Sequence, residues 1–197
     1  MKLTEKEWDK KLNIDTVGRD ASMEDAYHYP YEPTPYVVLE RLVESGYISQ
    51  ENIVVDYGCG KGRVACFLSN RIGCKVVGID FDERMIAEAK NNASHNLYAN
   101  VIEFRCEAAQ QYEIDDANAF YFFNPFSVEI LKSVIGKIRL SYYENPRRML
   151  LFFYFPSDEY VGYLMSVFEL SFLDEVDCSD LFKENSDREK ILIFEML

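Results

Sequence analysis

Apolar positions along the 197-residue chain switch repeatedly between two periods. The β-branched run Ile53-Val54-Val55 predicts a buried strand, and Val64, Phe67, Leu68 and Ile72 then recur at helical spacing. Lys75-Val76-Val77-Gly78-Ile79-Asp80 predicts a second strand, with Met85, Ile86 and Ala89 forming the inner face of the helix after it. Residues 101–105 and 117–123 predict two more strands. Leu131, Val134, Ile135 and Ile138 mark another helix. The nearly continuous apolar stretch 149–155 is the pattern of a strand covered on both faces. Pro156-Ser157 stops it and opens a helix expected to turn Val161, Leu164, Met165 and Phe168 inward. Strands near 168–176 and 190–196 end the chain, separated by the polar, acidic segment 177–189. Strands alternating with helices in this order predict an α/β fold, a three-layer α/β/α sandwich around a mostly parallel sheet.

The first fifty residues are patterned differently. Thr4-Glu5-Lys6-Glu7 has capping-box form, and Trp8 and Leu12 give one apolar edge to a short helix over 5–12. Residues 13–33 have little periodicity but many aromatics, among them Tyr27, Tyr29 and Tyr31. They suit either a lid over a site or an irregular segment packed on the core. Thr34-Pro35 predicts the cap and first residue of a helix whose apolar stripe is Val38, Leu39, Leu42 and Val43, ending at Gly46. With no repeat or low-complexity linker, one domain over 1–197 is expected, residues 1–50 forming its N-terminal helical or lid segment.

Charge and cysteine usage narrow the partners. The net charge of −13 disfavours nucleic acid, since the basic residues near Arg147-Arg148 (Lys132, Lys137, Arg139) are the one local positive patch. A small molecule or a basic protein segment suits the charge better. No apolar run approaches the ~18 residues of a membrane span, and the charged start lacks a signal-peptide core, so a cytoplasmic location is expected. Five scattered cysteines without a Cys-x-x-Cys pair, and two distant histidines, predict reduced thiols and no metal site.

The chemistry concentrates where the first strand ends. Asp56-Tyr57-Gly58-Cys59-Gly60-Lys61-Gly62 places an acid and three alternate glycines between strand and helix. Such a turn lets the backbone approach a nucleotide-like ligand beside unpaired helix N–H groups. A dinucleotide fingerprint needs a small residue where Arg63 stands, which opposes a nicotinamide cofactor. Asp56 suits a cationic ammonium by Coulomb attraction. Asp80, at the tip of the second strand, suits a pair of ribose hydroxyls, while Asp82 suits capping of the following helix. Asn124-Pro125-Phe126 follows the fourth strand at the sheet's carboxyl edge, as a strand-to-helix turn or as a substrate contact.

The Asp-x-Gly-x-Gly-x-Gly stretch resembles motif I of the class I S-adenosylmethionine-dependent methyltransferases. The end of the second strand strengthens the likeness: Val77-Gly78-Ile79-Asp80-Phe81-Asp82 resembles the segment that follows motif I. Pro33-Thr34-Pro35 ahead of Gly58-Cys59-Gly60-Lys61-Gly62-Arg63 is similar to a group within that family that modifies protein lysines. The resemblance implies a Rossmann-like, seven-stranded sheet whose terminal hairpin contributes one antiparallel strand. It implies S-adenosylmethionine as cofactor, held by Tyr31, Thr34, Asp56, Gly58, Cys59, Gly60, Asp80, Phe81, Glu107, Ala108 and Asn124. Glu107 and Ala108 stand where the family contacts adenine, glutamate replacing the commoner aspartate. Asn124 and Phe126 fall on the substrate side; the second proline of the amino-nitrogen motif is missing, which weighs against base methylation. The implied activity is methyl transfer to a small molecule or a protein side-chain amine, with a non-catalytic cofactor-binding module as the rival.

Overall fold

The computed structural model describes residues 3–183 and 186–197, so Glu184 and Asn185 of the polar 177–189 segment lie outside the described residues. Its seven strands are β1 (Ile53–Tyr57), β2 (Lys75–Asp80), β3 (Ile102–Cys106), β4 (Ala119–Phe122), β5 (Leu150–Tyr154), β6 (Leu170–Asp177) and β7 (Lys190–Met196). They form one sheet in the order β3-β2-β1-β4-β5-β7-β6. Pairing is parallel from β3 through β5, and β7 runs antiparallel to both β5 and β6. The order reverses between β1 and β4, and ligands of open α/β sheets bind at the carboxyl ends beside such a point.

Alternation along the strands builds two cores. Val54, Val76, Ala119 and Tyr121 face α1 (Glu5–Leu12), α2 (Tyr36–Glu44), α3 (Arg63–Ile72) and α4 (Glu83–Ser94). Val55, Tyr57, Phe120 and Phe122 face α5 (Val128–Glu144) and α6 (Asp158–Leu164). Successive side chains of a strand point to opposite faces, so these residues divide as the period of two requires. Trp8 stacks on Tyr36 at 5.4 Å and meets the edge of Phe67 at 5.2 Å, which fixes α1 onto α3.

Three local expectations are corrected. Thr34 does not cap α2: its hydroxyl is buried against the Tyr121 hydroxyl at 3.1 Å, and the helix begins at Tyr36. The Tyr36 N–H is satisfied instead by Glu5 Oε1 at 3.1 Å, an acceptor lent by α1. Met165 and Phe168 do not face inward; α6 stops at Leu164, leaving them 58% and 94% exposed. The helical periodicity of the sequence runs past the point where the chain turns to enter β6, which starts at Leu170 rather than near 168. The capping box at Thr4 and the Asp82 cap of α4 both form as expected.

Candidate active site at the strand ends

β1 carries Asp56 to the sheet edge, where the residue pairs in register with Gly78 on one side and Tyr121 on the other. Beyond it the chain turns through Gly58, Gly60 and Gly62, all at positive φ. A Cβ on Gly58 would lie 2.3 Å from Pro125 Cβ, and one on Gly60 would lie 2.3 Å from the Tyr31 ring. Only glycine lets the turn fit under these neighbours. The Gly58 and Cys59 N–H groups both donate to the Ile79 carbonyl, at 2.8 and 3.0 Å, locking the turn to the end of β2.

Two acids stand at this edge in different states. The Asp80 carboxylate accepts from the Gly60 N–H at 2.9 Å and the Asp82 N–H at 3.0 Å. Each oxygen keeps a lone pair for a further donor. Burial holds its pKa above the ordinary range despite these bonds. Asp56 is 3% exposed, and its Oδ2 has no hydrogen-bond partner. Burial, followed by the nearby Asp80 charge, pushes it up to about 8. A cation against Asp56 would restore its ionised form.

Thr34, Tyr121, Phe123, Asn124 and Phe126 line the same cavity as Asp56, Gly58, Cys59, Asp80, Phe81, Glu107 and Ala108, with Tyr31 among them. Of the residues expected to hold the cofactor or face the substrate, Gly60 alone does not line it; its N–H instead orients Asp80. The Glu107 N–H donates to the Asp80 carbonyl at 3.0 Å, which sets the position of the 107–108 backbone. Asn124 has φ +39, and both ends of its amide are engaged. Nδ2 donates to the Phe155 carbonyl, and Oδ1 accepts from the Ser157 N–H at 3.2 Å. Asn124 therefore ties β4 to the β5–α6 connection, with one Oδ1 lone pair left over. Phe126 is buried against Tyr57 and Phe122, and its carbonyl accepts from the Tyr160 hydroxyl.

The aromatic segment after α1 lies over this edge as a strap. Asp20 and Tyr31 exchange backbone hydrogen bonds at 3.1 and 2.8 Å. The Ser127 N–H donates to the Tyr27 carbonyl at 2.8 Å, and the Tyr29 N–H to the Pro125 carbonyl at 3.4 Å. Arg84 Nη2 holds Ser22 Oγ at 2.8 Å, and the His28 ring lies 4.1 Å from that of Phe81. The cavity's free volume is about 100 Å³. Pockets that hold cofactor-sized ligands run to roughly 300–1,000 Å³.

Arg63, which in the sequence only opposes a dinucleotide, is a centre of the site. Only 2% exposed, it donates from Nε to Thr16 Oγ1 at 2.7 Å and from Nη1 to the Thr34 carbonyl at 3.1 Å. Nη1 also pairs with Glu5, and the guanidinium lies 4.2 Å over the Tyr36 ring. Glu5 and Asp9 on one face of the first helix were the available signal, because acids turned toward a core require a cation. Among the described residues, no group of three or more His, Cys, Asp or Glu side chains is arranged to hold a metal ion.

Comparison with known proteins agrees with this arrangement. Residues 54–137 match the family model described as methyltransferase domain. A protein-lysine N-methyltransferase of Saccharolobus islandicus is 39% identical over 70 residues, covering 35% of this chain and 44% of that protein. A ribosomal protein L11 methyltransferase of Aliivibrio fischeri is 39% identical over 71 residues, covering 36% and 24%. The chain thus spans less than half the length of these curated relatives. The crystal structure of an RNA methyltransferase from Salinibacter ruber, in complex with S-adenosyl-L-homocysteine, superposes with a TM-score of 0.57 at 21% identity. It covers 84% of this chain and 94% of that one, which establishes the shared Rossmann-like fold. The stretch from β1 into α5, with the glycine turn and both strand-end acids, is the part of the chain that matches the methyltransferase-domain model.

Proposed function

We propose that the chain binds S-adenosylmethionine at the strand ends and methylates an amine, on a protein side chain or a small molecule. The observation that carries this reading is the unpartnered Asp56 Oδ2, buried in a cavity that also holds the half-satisfied Asp80 carboxylate. The residues present fit the cofactor. Asp56 would accept from its ammonium group and Asp80 from its ribose hydroxyls. Glu107 and the Ala108 backbone would meet the adenine edge, with Phe81 against its face. Gly58, Cys59 and Gly60 shape the floor, while Tyr31 and Thr34 close the upper side. When bound, the cofactor supplies an electrophilic sulfonium methyl that is displaced in line by the acceptor.

The chain's own contribution is alignment and exclusion of water. Asn124 Oδ1 offers its remaining lone pair to an acceptor N–H, and Phe126 backs that position from the core. In this reading residues 20–31 would move aside as ligand enters and then close over it, which the narrow free space supports. A single unit over all 197 residues, with residues 1–50 supplying roof and anchor, fits the strap's hydrogen bonds to residues 125 and 127. Among the described residues, no helix is long and apolar enough to cross a membrane. A cytoplasmic location accords with the free cysteines.

A second reading, a cofactor-binding module without turnover, is favoured by one observation: the strap's backbone bonds cover residues 125–127, where an acceptor must approach. Calorimetry with S-adenosylmethionine on wild type and Asp80→Ala tests the cofactor. Micromolar binding by wild type, lost in the variant, is expected. No binding by folded wild type would refute it. Incubation with methyl-labelled cofactor and basic peptides or small amines separates the two readings, since only an enzyme releases S-adenosylhomocysteine in step with labelled product.

A further inference from the structure

Among the described residues, the non-glycine positions at positive φ are Asn13, Asn124 and Phe155. Asn13 closes α1 in the left-handed conformation that asparagine tolerates. The other two stand just past the carboxyl ends of β4 and β5 and are bonded to each other, Asn124 Nδ2 donating to the Phe155 carbonyl. Phenylalanine at φ +49 is strained, and such a conformation persists only where its surroundings hold it.

Arg188, in the segment before β7, supplies that hold. Its Nη2 donates to the Phe155 carbonyl at 3.1 Å and its Nε to the Pro156 carbonyl at 3.0 Å. Its guanidinium lies 4.2 Å from the centre of the Phe155 ring. The Phe155 N–H donates to the Lys190 carbonyl at 3.0 Å, so residues 188–190 fix both ends of the strained residue. Arg188 does not line the cavity, but Asn124 does. The Asn124 amide has one orientation here, because Nδ2 is committed to Phe155 and Oδ1 accepts from the Ser157 N–H at 3.2 Å. A flipped amide loses both bonds. Resting on the acceptor-side reading of Asn124 above, we propose that Arg188 is a positioning residue for methyl transfer to an amine. It holds the Phe155 peptide in its strained form, and through that carbonyl keeps Asn124 Oδ1, rather than Nδ2, available to the acceptor. An N–H suits that oxygen, and a carboxylate does not. The connection that carries Arg188 is thereby part of the acceptor side as well as a link between edge strands.

The test separates positioning from support of the fold. Wild type, Arg188→Met and Arg188→Lys are compared, with circular dichroism confirming the fold. One readout is hydrogen exchange of the Asn124 side-chain amide by nuclear magnetic resonance. The other is methyl transfer from labelled S-adenosylmethionine to poly-L-lysine and to propylamine, with cofactor affinity from calorimetry. In Arg188→Met the Asn124 amide should exchange about tenfold faster or more, and kcat should fall about tenfold or more. Cofactor Kd should stay within about twofold, and Arg188→Lys should recover part of both losses. In a Phe155→Gly background, where positive φ carries little strain, removing Arg188 should change either readout by less than about twofold. Unchanged Asn124 exchange in Arg188→Met, or an equally large loss in the glycine background, overturns the assignment. Should the Arg188 variants fail to fold, wild type decides. Slow exchange of both the Asn124 Nδ2 and the Arg188 Nε protons supports the clamp, and exchange of either at the rate of a free side chain overturns it. Wild type that binds cofactor but methylates neither amine overturns the transfer role. Wild type that binds no S-adenosylmethionine sinks the cofactor reading, while faster Asn124 exchange in Arg188→Met would still show the clamp.

Discussion

Replacing Asp56 by asparagine should stabilise the ligand-free protein while weakening its hold on ligand. In the unfolded chain this carboxyl ionises near its ordinary 3.8, but in the folded chain burial raises it to about 8. Between those values the folded state binds a proton that the unfolded state does not. The favourable contribution of the neutral acid is therefore complete below pH 3.8 and is lost progressively as pH rises toward 8. Asparagine is neutral at every pH and has nearly the same shape. Its advantage over aspartate should grow by about 1.4 kcal/mol per pH unit across this window, approaching about 4 kcal/mol at pH 7. Because Oδ2 has no partner in the wild type, the asparagine side chain loses no hydrogen bond there. Urea titrations of both proteins at pH 4.5, 6 and 7.5 measure the divergence. Affinity for S-adenosylhomocysteine should fall about tenfold or more as the ammonium loses its charged partner. Stability curves that run parallel from pH 4.5 to 7.5 would refute the argument, because they would show Asp56 to be ionised in the folded state throughout.

Other consequences are equally direct. Gly60→Ala introduces a Cβ into the Tyr31 ring and strains a residue at φ +51, so it should cost about 1–3 kcal/mol in thermal unfolding. It should also detach the strap, read as faster proteolysis within residues 20–31. Arg84→Ala removes the Ser22 contact while leaving the Asp82 cap of α4 its backbone bond. Stability should change by less than about 1 kcal/mol, and amide exchange around residues 20–28 should accelerate; unchanged exchange would show that Arg84 does not hold the strap. Asn124→Ala leaves the Ser157 N–H and Phe155 carbonyl without their partner, a loss of about 1–3 kcal/mol. Asn124→Asp keeps the Ser157 bond but not the donor to Phe155, and should fall between.

The parts of the molecule legible in sequence are those where one local rule decides the outcome. Asp56 and the alternate glycines had a turn to make and a strand end to mark, and they appear where the pattern placed them. The antiparallel strand followed from family likeness, since its neighbours β5 and β6 are fixed only by tertiary pairing. Thr34 is misread from sequence because two roles compete for one hydroxyl, and the winning partner, Tyr121, lies 87 residues away. Arg63 is underread for the same reason. Its partners Glu5, Thr16 and Thr34 are all distant in sequence, and a charge among Val64, Ala65 and Phe67 offers no local sign of whom it serves. Met165 and Phe168 fail in the opposite direction, a good helical period continuing past the helix's end.

The docking of α1 bears on how the protein is made. A helix of eight residues is marginal in water by itself, so α1 gains its stability from what it touches. Its partner Arg63 lies 58 residues further along the chain than Glu5. During synthesis α1 therefore cannot complete its packing until Phe67 and Arg63 of α3 have left the ribosome. The first helix of the chain is thus completed after the helix it packs on, although it is translated first.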